Sequence, residues 1–186
     1  AIAMAEYSIA SGDESYARKA LDLFKLILKY KNTPGLLEPK YLETFQTRGH
    51  SLTMILINTA SCICRAIQDE ALTNQINESI FEIENYLMKP EFKALLEMVD
   101  MNGGLIDTNA GRTINPGHCI ETAWFILEEA KNRNWDPHLV KLAVTILDWS
   151  WEWGWDKEFG GIINFCDCKG LPSQDYAQDM KFWWPQ

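Results

Sequence analysis

The stretch INPGHCIETAWFILEEA, residues 114–130, contains both a helix start and two polar residues, His118 and Glu121, that are candidates for a functional site. Asn115 is a residue type that caps helix N-termini. Pro116 suits the first helical position, because its missing N–H would have had no partner there. The apolar residues that follow recur at helical spacing. The stretch therefore predicts an amphipathic helix with His118 in its first turn and Glu121 one turn later on the same face.

Helical periodicity continues through most of the chain. The segment DESYARKALDLFKLILKYK carries Leu21, Phe24 and Leu28 on one stripe behind Asp13, a good N-cap residue. Helices that follow one another in pairs, with the chemistry in the longer loops, predict an all-α toroid of helical hairpins. The predicted helices are about seven in number: 1–11, 13–31, 50–68, 69–88, 116–132, 137–151 and one that opens within 175–184.

Two segments break this period. EFKALLEMVDMNGG, residues 91–104, predicts a short extended piece that enters a Gly-Gly turn. IINFCDC, residues 162–168, alternates between Gly160-Gly161 and Lys169-Gly170, which predicts a small β-hairpin insertion.

The chain has no low-complexity linker, so we expect residues 1–186 to form a single domain. It starts without methionine, and its last four residues, WWPQ, stop as a new pattern begins. About half of a toroid would also leave an apolar flank uncovered. We therefore expect a partial toroid, an internal segment of a longer chain.

Composition and charge narrow the classes of partner. The formal net charge is −9, without a basic run, which argues against nucleic acid or an anionic membrane surface as partner. No apolar stretch reaches the roughly 18 to 20 residues that a membrane-spanning helix needs, and no signal-peptide pattern opens the chain. We expect a cytoplasmic protein, with the oligomeric state left open between a monomer and a homodimer.

Cysteine usage and loop patterns give no cofactor site. An odd number of cysteines favours reduced thiols, and zinc sites usually take four ligands, whereas no histidine lies near either C-x-C pair. A G-x-x-x-x-G-K phosphate loop is absent from the sequence. We therefore expect no metal. The five cysteines are Cys62, Cys64, Cys119, Cys166 and Cys168.

His118 and Glu121 are the candidate acid/base pair. The positive end of a helix disfavours an imidazolium, so we expect a ring that is neutral near physiological pH and able to accept a proton. Glu121 would hydrogen-bond that ring or a sugar hydroxyl. The alternative is structural: a partly buried histidine satisfied by a backbone carbonyl, beside a solvated carboxylate.

Tryptophan is several times commoner than usual, with eight residues in the chain. Flat aromatic faces are the usual platform for the C–H face of a sugar ring, although core packing is the alternative use. Trp124 continues from His118 toward the pocket side of its helix. Trp183 and Trp184 are adjacent and cannot both point the same way, so we expect one of them to line the pocket.

Three segments resemble, in order and spacing, the corresponding parts of N-acylglucosamine 2-epimerases: NPGHCIETAWFILEEA, WDKEFGGIINFCD and MKFWWPQ. That family includes mammalian renin-binding protein, and its wider superfamily holds cellobiose 2-epimerases and mannose isomerases. The resemblance runs along nearly the whole chain. It is looser in QTRGHSLTMILIN, residues 46–58.

The resemblance implies an (α/α)6 barrel and epimerisation at C2 of an open-chain amino sugar, N-acetylglucosamine with N-acetylmannosamine. It implies no required cofactor, with a nucleotide at most as an activator. His118 matches the first of two catalytic histidines and Glu121 its partner carboxylate. Trp183 and Trp184 match the aromatic pair at the pocket.

Arg48 and His50 lie near the pocket-facing start of an inner helix and are further candidates for substrate binding. The resemblance breaks beyond Gln186, because the family's glutamate two residues after W-W-P-Q and its second histidine lie at positions absent from this sequence. His50 and His138 do not fit the second histidine's motif. Because catalysis on both faces of C2 needs two groups, we expect the 186 residues alone to give no turnover.

Other functions stay open at this point. An aldose–ketose isomerase or a disaccharide 2-epimerase would use the same proton chemistry. A non-catalytic protein-binding role, which the name renin-binding protein implies, would use exposed helix faces. A glycoside hydrolase would use carboxylates such as Asp156 and Glu158, although their turn-rich context favours turn and cap roles.

Overall fold

Helices dominate the computed structural model, which describes residues 1–36, 46–173 and 175–186. A single π-helical turn, Ile83–Leu87, extends the fourth helix. The six helices predicted before residue 155 are confirmed, with ends that differ by a few residues. Their bounds are α1 Ile2–Ser11, α2 Glu14–Asn32, α3 His50–Cys64, α4 Glu70–Glu82, α5 Pro116–Asn132 and α6 Pro137–Gly154.

Capping side chains fix where the last two helices begin. The Asn115 side chain accepts a hydrogen bond from the His118 N–H at 3.1 Å, and Asp136 accepts one from the His138 N–H at 2.9 Å. In each case a proline occupies the first helical position. The predicted start of α5 is therefore confirmed, with His118 in its first turn.

The chain forms two compact units. The first comprises Ala1–Gln46 and Ile55–Ser79, and the second comprises Thr47–Met54 and Ile80–Gln186. In the first unit the buried apolar residues include Ala17, Ala20, Phe24, Leu56, Ile57, Ile63, Leu72 and Ile76. In the second, α5 packs against α6, and their buried residues include Ala123, Ile126, Ala130, Leu139, Ala143 and Ile146. The single domain over 1–186 stays a prediction.

Among the described residues of the second unit there are three short antiparallel strand pairs. The extended piece predicted within 91–104 is confirmed: its last strand turns back where the Asp100 N–H donates to the Gly104 carbonyl at 3.0 Å. The pairs are β1 (Thr47–Gly49) with β4 (Met98–Asp100), β2 (Met88–Lys89) with β3 (Ala94–Leu95), and β5 (Thr113–Ile114) with β6 (Cys166–Asp167).

The hairpin predicted over 162–168 is wrong in its pairing. Strand β6 pairs with β5, and Ile162 forms an antiparallel bridge with Trp155. A buried ion pair explains this choice, because Arg112, just before β5, donates to Asp167 of β6 at 2.8 Å. A local hairpin would leave both charges without that partner.

The helix predicted to open within 175–184 is also wrong, because residues 175–186 run in turns. Contacts to other segments hold this stretch: Lys181 pairs with Asp156, and the Gln186 side chain pairs with the backbone of Ile162. Such tertiary contacts override a weak local helical pattern. Within the described ranges, no helix is both long and apolar enough to cross a membrane.

Candidate active site

Three backbone segments of the second unit meet at Glu97. The register of β1 and β4 places His50, the residue after β1, opposite Glu97, the residue before β4, and the His50 N–H donates to the Glu97 carbonyl at 3.0 Å. The Glu97 N–H in turn donates to the carbonyl of Thr113 in β5 at 3.0 Å. Because β5 leads directly into α5, the same backbone network brings His118 to this point.

The side chains of these segments form one hydrogen-bonded cluster. Nδ1 of His50 lies 3.1 Å from Oε1 of Glu97, and Nδ1 of His118 lies 3.1 Å from both carboxylate oxygens. On its far side, Nε2 of His50 lies 2.7 Å from the Thr122 hydroxyl. The exposed fraction of the side chain rises from 0% for His50 to 19% for Glu97 and 26% for His118.

The hydrogen bonds assign the proton positions. An ionised carboxylate only accepts, so each Nδ1 donates its hydrogen to Glu97. The Thr122 hydroxyl donates to the Met54 sulfur at 3.4 Å and lies 2.7 Å from Nε2 of His50. His50 is therefore held at both ring nitrogens, by Glu97 at Nδ1 and by Thr122 at Nε2.

The same contacts set the charge of Glu97. Burial raises its pKa, but the hydrogen bonds from His118 and His50, with the charges of those rings, outweigh burial and lower the pKa to about 2. Glu97 is therefore an anion at all physiological pH values, fixed between two imidazole N–H donors.

The expectation that the helix end alone governs the protonation of His118 is corrected here, because the pKa of the ring is shifted upward. Burial lowers the pKa of His118. The hydrogen bond to Glu97 and the charges of Glu97 and Glu121 raise it by more than burial lowers it, so the pKa lies above its ordinary value. The partner carboxylate is also different from the predicted one. Among the described residues, the ring's hydrogen bond goes to Glu97 and Glu121 contributes its charge, while the expected hydrogen bond between Glu121 and a sugar hydroxyl stays a prediction.

This arrangement leaves one nitrogen available for chemistry. With Nδ1 of His118 bound to Glu97, the lone pair of the neutral ring lies on Nε2, which has no hydrogen-bond partner among the described residues. The Trp184 ring lies beside the His118 ring, with the ring centroids 5.7 Å apart and the planes inclined by 39°. A carboxylate-oriented imidazole beside an indole face can take a proton from, or return it to, a bound molecule.

Two histidines and a carboxylate are also a donor set that Zn²⁺ accepts. The ligand atoms of His50, Glu97 and His118 all lie within 4.8 Å of one another, so these are the residues that could hold a metal ion. The hydrogen bonds within the cluster account for its geometry without an ion.

Other predicted site residues lie in different settings. Arg48 donates to Glu82 at 3.1 Å and to the Met101 carbonyl at 2.8 Å. Its guanidinium also lies 4.1 Å from the centre of the Tyr86 ring. Because these partners satisfy it, Arg48 supports the π-helical turn that follows α4, and no contact joins it to the histidine cluster among the described residues.

The predicted tryptophans also separate. Trp184 lies at the cluster, as one of the adjacent pair was expected to do, whereas Trp183 is 88% exposed. Trp124 is 55% exposed and contacts Phe125, with ring centroids 5.2 Å apart. The structure thus brings Trp184, but neither of the other two, against His118.

The residue that sequence reasoning missed is Glu97. It is the one charged residue within the apolar run LLEMV, residues 95–99, and a carboxylate in such a run must find partners when it is buried. That signal was present in the sequence. The identity of the partners was not, because His50 and His118 are separated from Glu97 by 47 and 21 residues.

Comparison with known proteins now supplies a family. A sequence model of the N-acylglucosamine 2-epimerase (GlcNAc 2-epimerase) family matches residues 1–186. The chain belongs to the N-acylglucosamine 2-epimerase family. It is 29% identical over 194 residues to the N-acylglucosamine 2-epimerase of Mus musculus and 27% identical over 191 residues to that of Homo sapiens.

Those matches take in 99% of this chain but only 45% of the mouse enzyme and 44% of the human one. The chain therefore spans a little under half the length of these relatives.

Solved structures show the fold of this N-acylglucosamine 2-epimerase family member. A crystal structure of D-mannose isomerase matches 78% of this chain and 38% of its own, with a TM-score of 0.61 at 18% identity. A sugar epimerase from a ruminal bacterium matches 98% of this chain and 66% of its own, with a TM-score of 0.61 at 15% identity. The predicted fold class is confirmed in that the chain is mostly helical with small strand pairs and shares its fold with these sugar isomerase and epimerase structures.

Proposed function

We propose that the protein is a sugar 2-epimerase that interconverts N-acetylglucosamine and N-acetylmannosamine. The observation that carries this proposal is the His118 imidazole, bound through Nδ1 to Glu97 and available through Nε2, in a chain of the N-acylglucosamine 2-epimerase family. This site can perform the proton transfer that epimerisation at C2 needs.

The reaction begins with the open-chain sugar, whose C1 aldehyde acidifies the hydrogen on C2. Nε2 of neutral His118 takes that proton, the C–H electron pair moves toward the C1 carbonyl oxygen, and an enediolate-like anion forms. Return of a proton to the opposite face of C2 gives the epimer. The steps are proton transfers alone and need no redox cofactor.

Glu97 supports both halves of this transfer. As an anion across the ring it stabilises the imidazolium that forms, and it fixes the ring orientation with the lone pair on Nε2. By raising the pKa of His118 above its ordinary value, it also keeps the base effective near neutral pH. His50 holds Glu97 in place from the other side, anchored by Thr122.

Inversion needs a second group on the opposite face of C2. His50 does not supply it, because its side chain is 0% exposed and its Nε2 is bonded to Thr122. His138 lies elsewhere, 60% exposed and 3.1 Å from Glu84. Of the three histidines in the described residues, His118 alone is thus placed for this chemistry, which supports the expectation that residues 1–186 alone give no turnover.

The test is solvent exchange at C2. Incubating the full-length protein with N-acetylmannosamine in heavy water should place deuterium at C2 of both epimers, read by mass spectrometry and NMR. A folded protein that leaves C2 protonated in both sugars would contradict the proposal.

One alternative has a specific observation behind it, the likeness of fold to D-mannose isomerase. An aldose–ketose isomerase would use the same base but would return the proton to C1, which a 2-acetamido group does not permit. Offering mannose beside N-acetylmannosamine separates the two: an isomerase forms a ketose from mannose, and the epimerase exchanges only the acetamido sugar.

The hydrolase alternative has no support in the geometry. Asp156 pairs with Lys181 and accepts hydrogen bonds from the N–H groups of Glu158 and Phe159 at 2.9 and 3.0 Å. Those contacts make it a turn residue, as the sequence context predicted.

A further inference from the structure

Residues 181–186 are fastened to the rest of the second unit at both ends. At the start, Lys181 donates to Asp156. At the end, the Ile162 N–H donates to Oε1 of Gln186 at 2.9 Å, and Nε2 of Gln186 donates to the Ile162 carbonyl at 2.9 Å. Nε2 also donates to the Phe182 carbonyl at 3.0 Å. The amide thus reproduces the two-way pairing of neighbouring strands and fixes its own O and N positions.

Ile162 is buried and packs close to the start of α5. It is 2% exposed, and the N–H of the next residue, Ile163, donates to the Gly154 carbonyl at 2.9 Å. A Cβ on Gly154 would lie 2.5 Å from Cβ of Pro116 and 3.3 Å from Cγ2 of Ile162, so the three residues pack without a gap. Pro116 is the first residue of α5, the helix that carries His118. Gln186 is therefore connected, through Ile162, to the start of that helix.

Between the two anchors, Trp184 fits a slot that exists because Gly117 has no side chain. A Cβ on Gly117 would lie 2.6 Å from Cζ3 of Trp184 and 3.0 Å from Cγ of Pro185. The space, rather than an unusual backbone conformation, therefore requires glycine here. The slot holds the indole beside the His118 ring, at a centroid distance of 5.7 Å.

We infer that Gln186 is a positioning residue that holds Trp184 against the His118 ring and thereby sets the affinity of the site for its sugar. Gln186 touches neither ring. It acts through Ile162, whose backbone is fixed relative to α5, so that the indole stays beside the His118 ring and offers a flat face to the C–H side of a sugar. The sugar part rests on the proposed function, whereas the positioning part does not.

The positioning part is tested without substrate. In full-length protein labelled with ¹³C-histidine, the Cε1–H resonance of His118 is assigned by its loss in His118→Gln, and the ring current of Trp184 is measured from Trp184→Ala. We expect Gln186→Ala to move the His118 resonance to its Trp184→Ala position. Gly117→Ala should move it as well, because the new methyl group takes the place of the indole, while alanine favours the helix over glycine.

The sugar part is tested by steady-state kinetics. Gln186→Ala should raise KM about tenfold and change kcat less, since stacking contributes to binding. Gln186→Glu keeps the acceptor for the Ile162 N–H but loses both donors, so it should give an intermediate KM. The control is Gln68→Ala, which removes another exposed amide with a backbone partner, the Cys64 carbonyl at 2.7 Å in the first unit, and should move neither the resonance nor KM.

The outcomes are distinct. A His118 resonance that stays at its wild-type position in folded Gln186→Ala, or in Gln186→Glu should the alanine variant not fold, overturns the positioning role. A moved resonance with unchanged KM overturns the link to sugar affinity. Absence of turnover in the wild type would defeat the proposed function, and with it the sugar part, while the resonance would still decide the positioning part.

Discussion

Two polar clusters of the second unit each join a nitrogen-bearing side chain to carboxylates, but they differ in whether every nitrogen has a hydrogen-bond partner. In one, Arg112 donates from Nε to Asp167 at 2.8 Å and from its two other nitrogens to Asp107 at 2.8 Å and Asn109 at 2.6 Å. Every nitrogen of the guanidinium therefore has a partner. In the histidine cluster around Glu97, Nε2 of His118 has none among the described residues.

The difference separates a structural cluster from a chemical one. The hydrogen bonds that Arg112 donates to Asp167 and Asp107 raise the pKa of Arg112, so its charge is permanent and the cluster only joins β5 to β6. Glu97 instead raises the pKa of His118, a group whose ordinary value already lies near neutrality. A saturated cluster holds strands together, whereas a cluster with one unfilled position can exchange a proton.

Replacing the base should have the largest effect. His118→Gln keeps a side chain that can donate to Glu97 but removes the titratable nitrogen, so deuterium exchange at C2 should fall by about 10²–10⁴-fold. The melting temperature of the full-length protein should change little. Exchange at the wild-type rate in this variant would show that His118 is not the base.

Replacing the carboxylate that orients the base should cost less. Glu97→Gln removes the charge that outweighs burial, so the pKa of His118 should fall. Because the base acts in its neutral form, the acidic limb of the kcat/KM profile should move to lower pH. The plateau should drop about 10²-fold, since the imidazolium loses its counter-charge. An unmoved acidic limb would contradict the role assigned to Glu97.

The elements of these two clusters also show what the sequence can predict. Asn115, Pro116 and His118 are neighbours, and their capping pattern alone predicted the start of α5 and the place of the histidine. Glu97 meets its partners through strand register and through β5, contacts across 47 and 21 residues that no local pattern encodes. The protonation of His118 was predicted from the helix end alone. Glu97, which is distant in the sequence, raises the pKa of the ring instead.

The same limit explains the errors in the loops. The alternation in 162–168 correctly indicated strand structure, but the partner of β6 was decided by Arg112, more than 50 residues earlier in the chain. The last segment was predicted to open a helix within 175–184, yet its conformation follows from contacts of Lys181 and Gln186 with residues 156 and 162. Family resemblance filled part of this gap, because it pointed to Trp183 and Trp184, of which Trp184 lies against His118.

Breaking the saturated cluster should leave the chemistry intact. Arg112→Gln strands Asp167, whose side chain is 2% exposed, so the melting temperature should fall by at least about 5 °C. The exchange rate per folded molecule should stay near the wild-type value. Lys169→Gln, which removes only an exposed partner of Asp107, is the matched control and should melt nearly as the wild type does. A loss of exchange in folded Arg112→Gln would mean that the two clusters are not separable in this way.

The smallest effect on stability and exchange is expected at the third histidine, His138, which serves as a comparison for His118. His138 resembles His118 in position, because each follows a capping residue and a proline in the first turn of its helix. It differs in its partner, an accessible Glu84 at 3.1 Å, and in its 60% exposed side chain. A surface ion pair of this kind contributes about 0–1 kcal/mol, so His138→Gln should leave both the melting temperature and the C2 exchange rate within error of the wild type. Loss of C2 exchange in His138→Gln, as in His118→Gln, would mean that both histidines are functional. Their shared feature would then be the place in the first turn of a helix, and the role given to Glu97 would have to be abandoned.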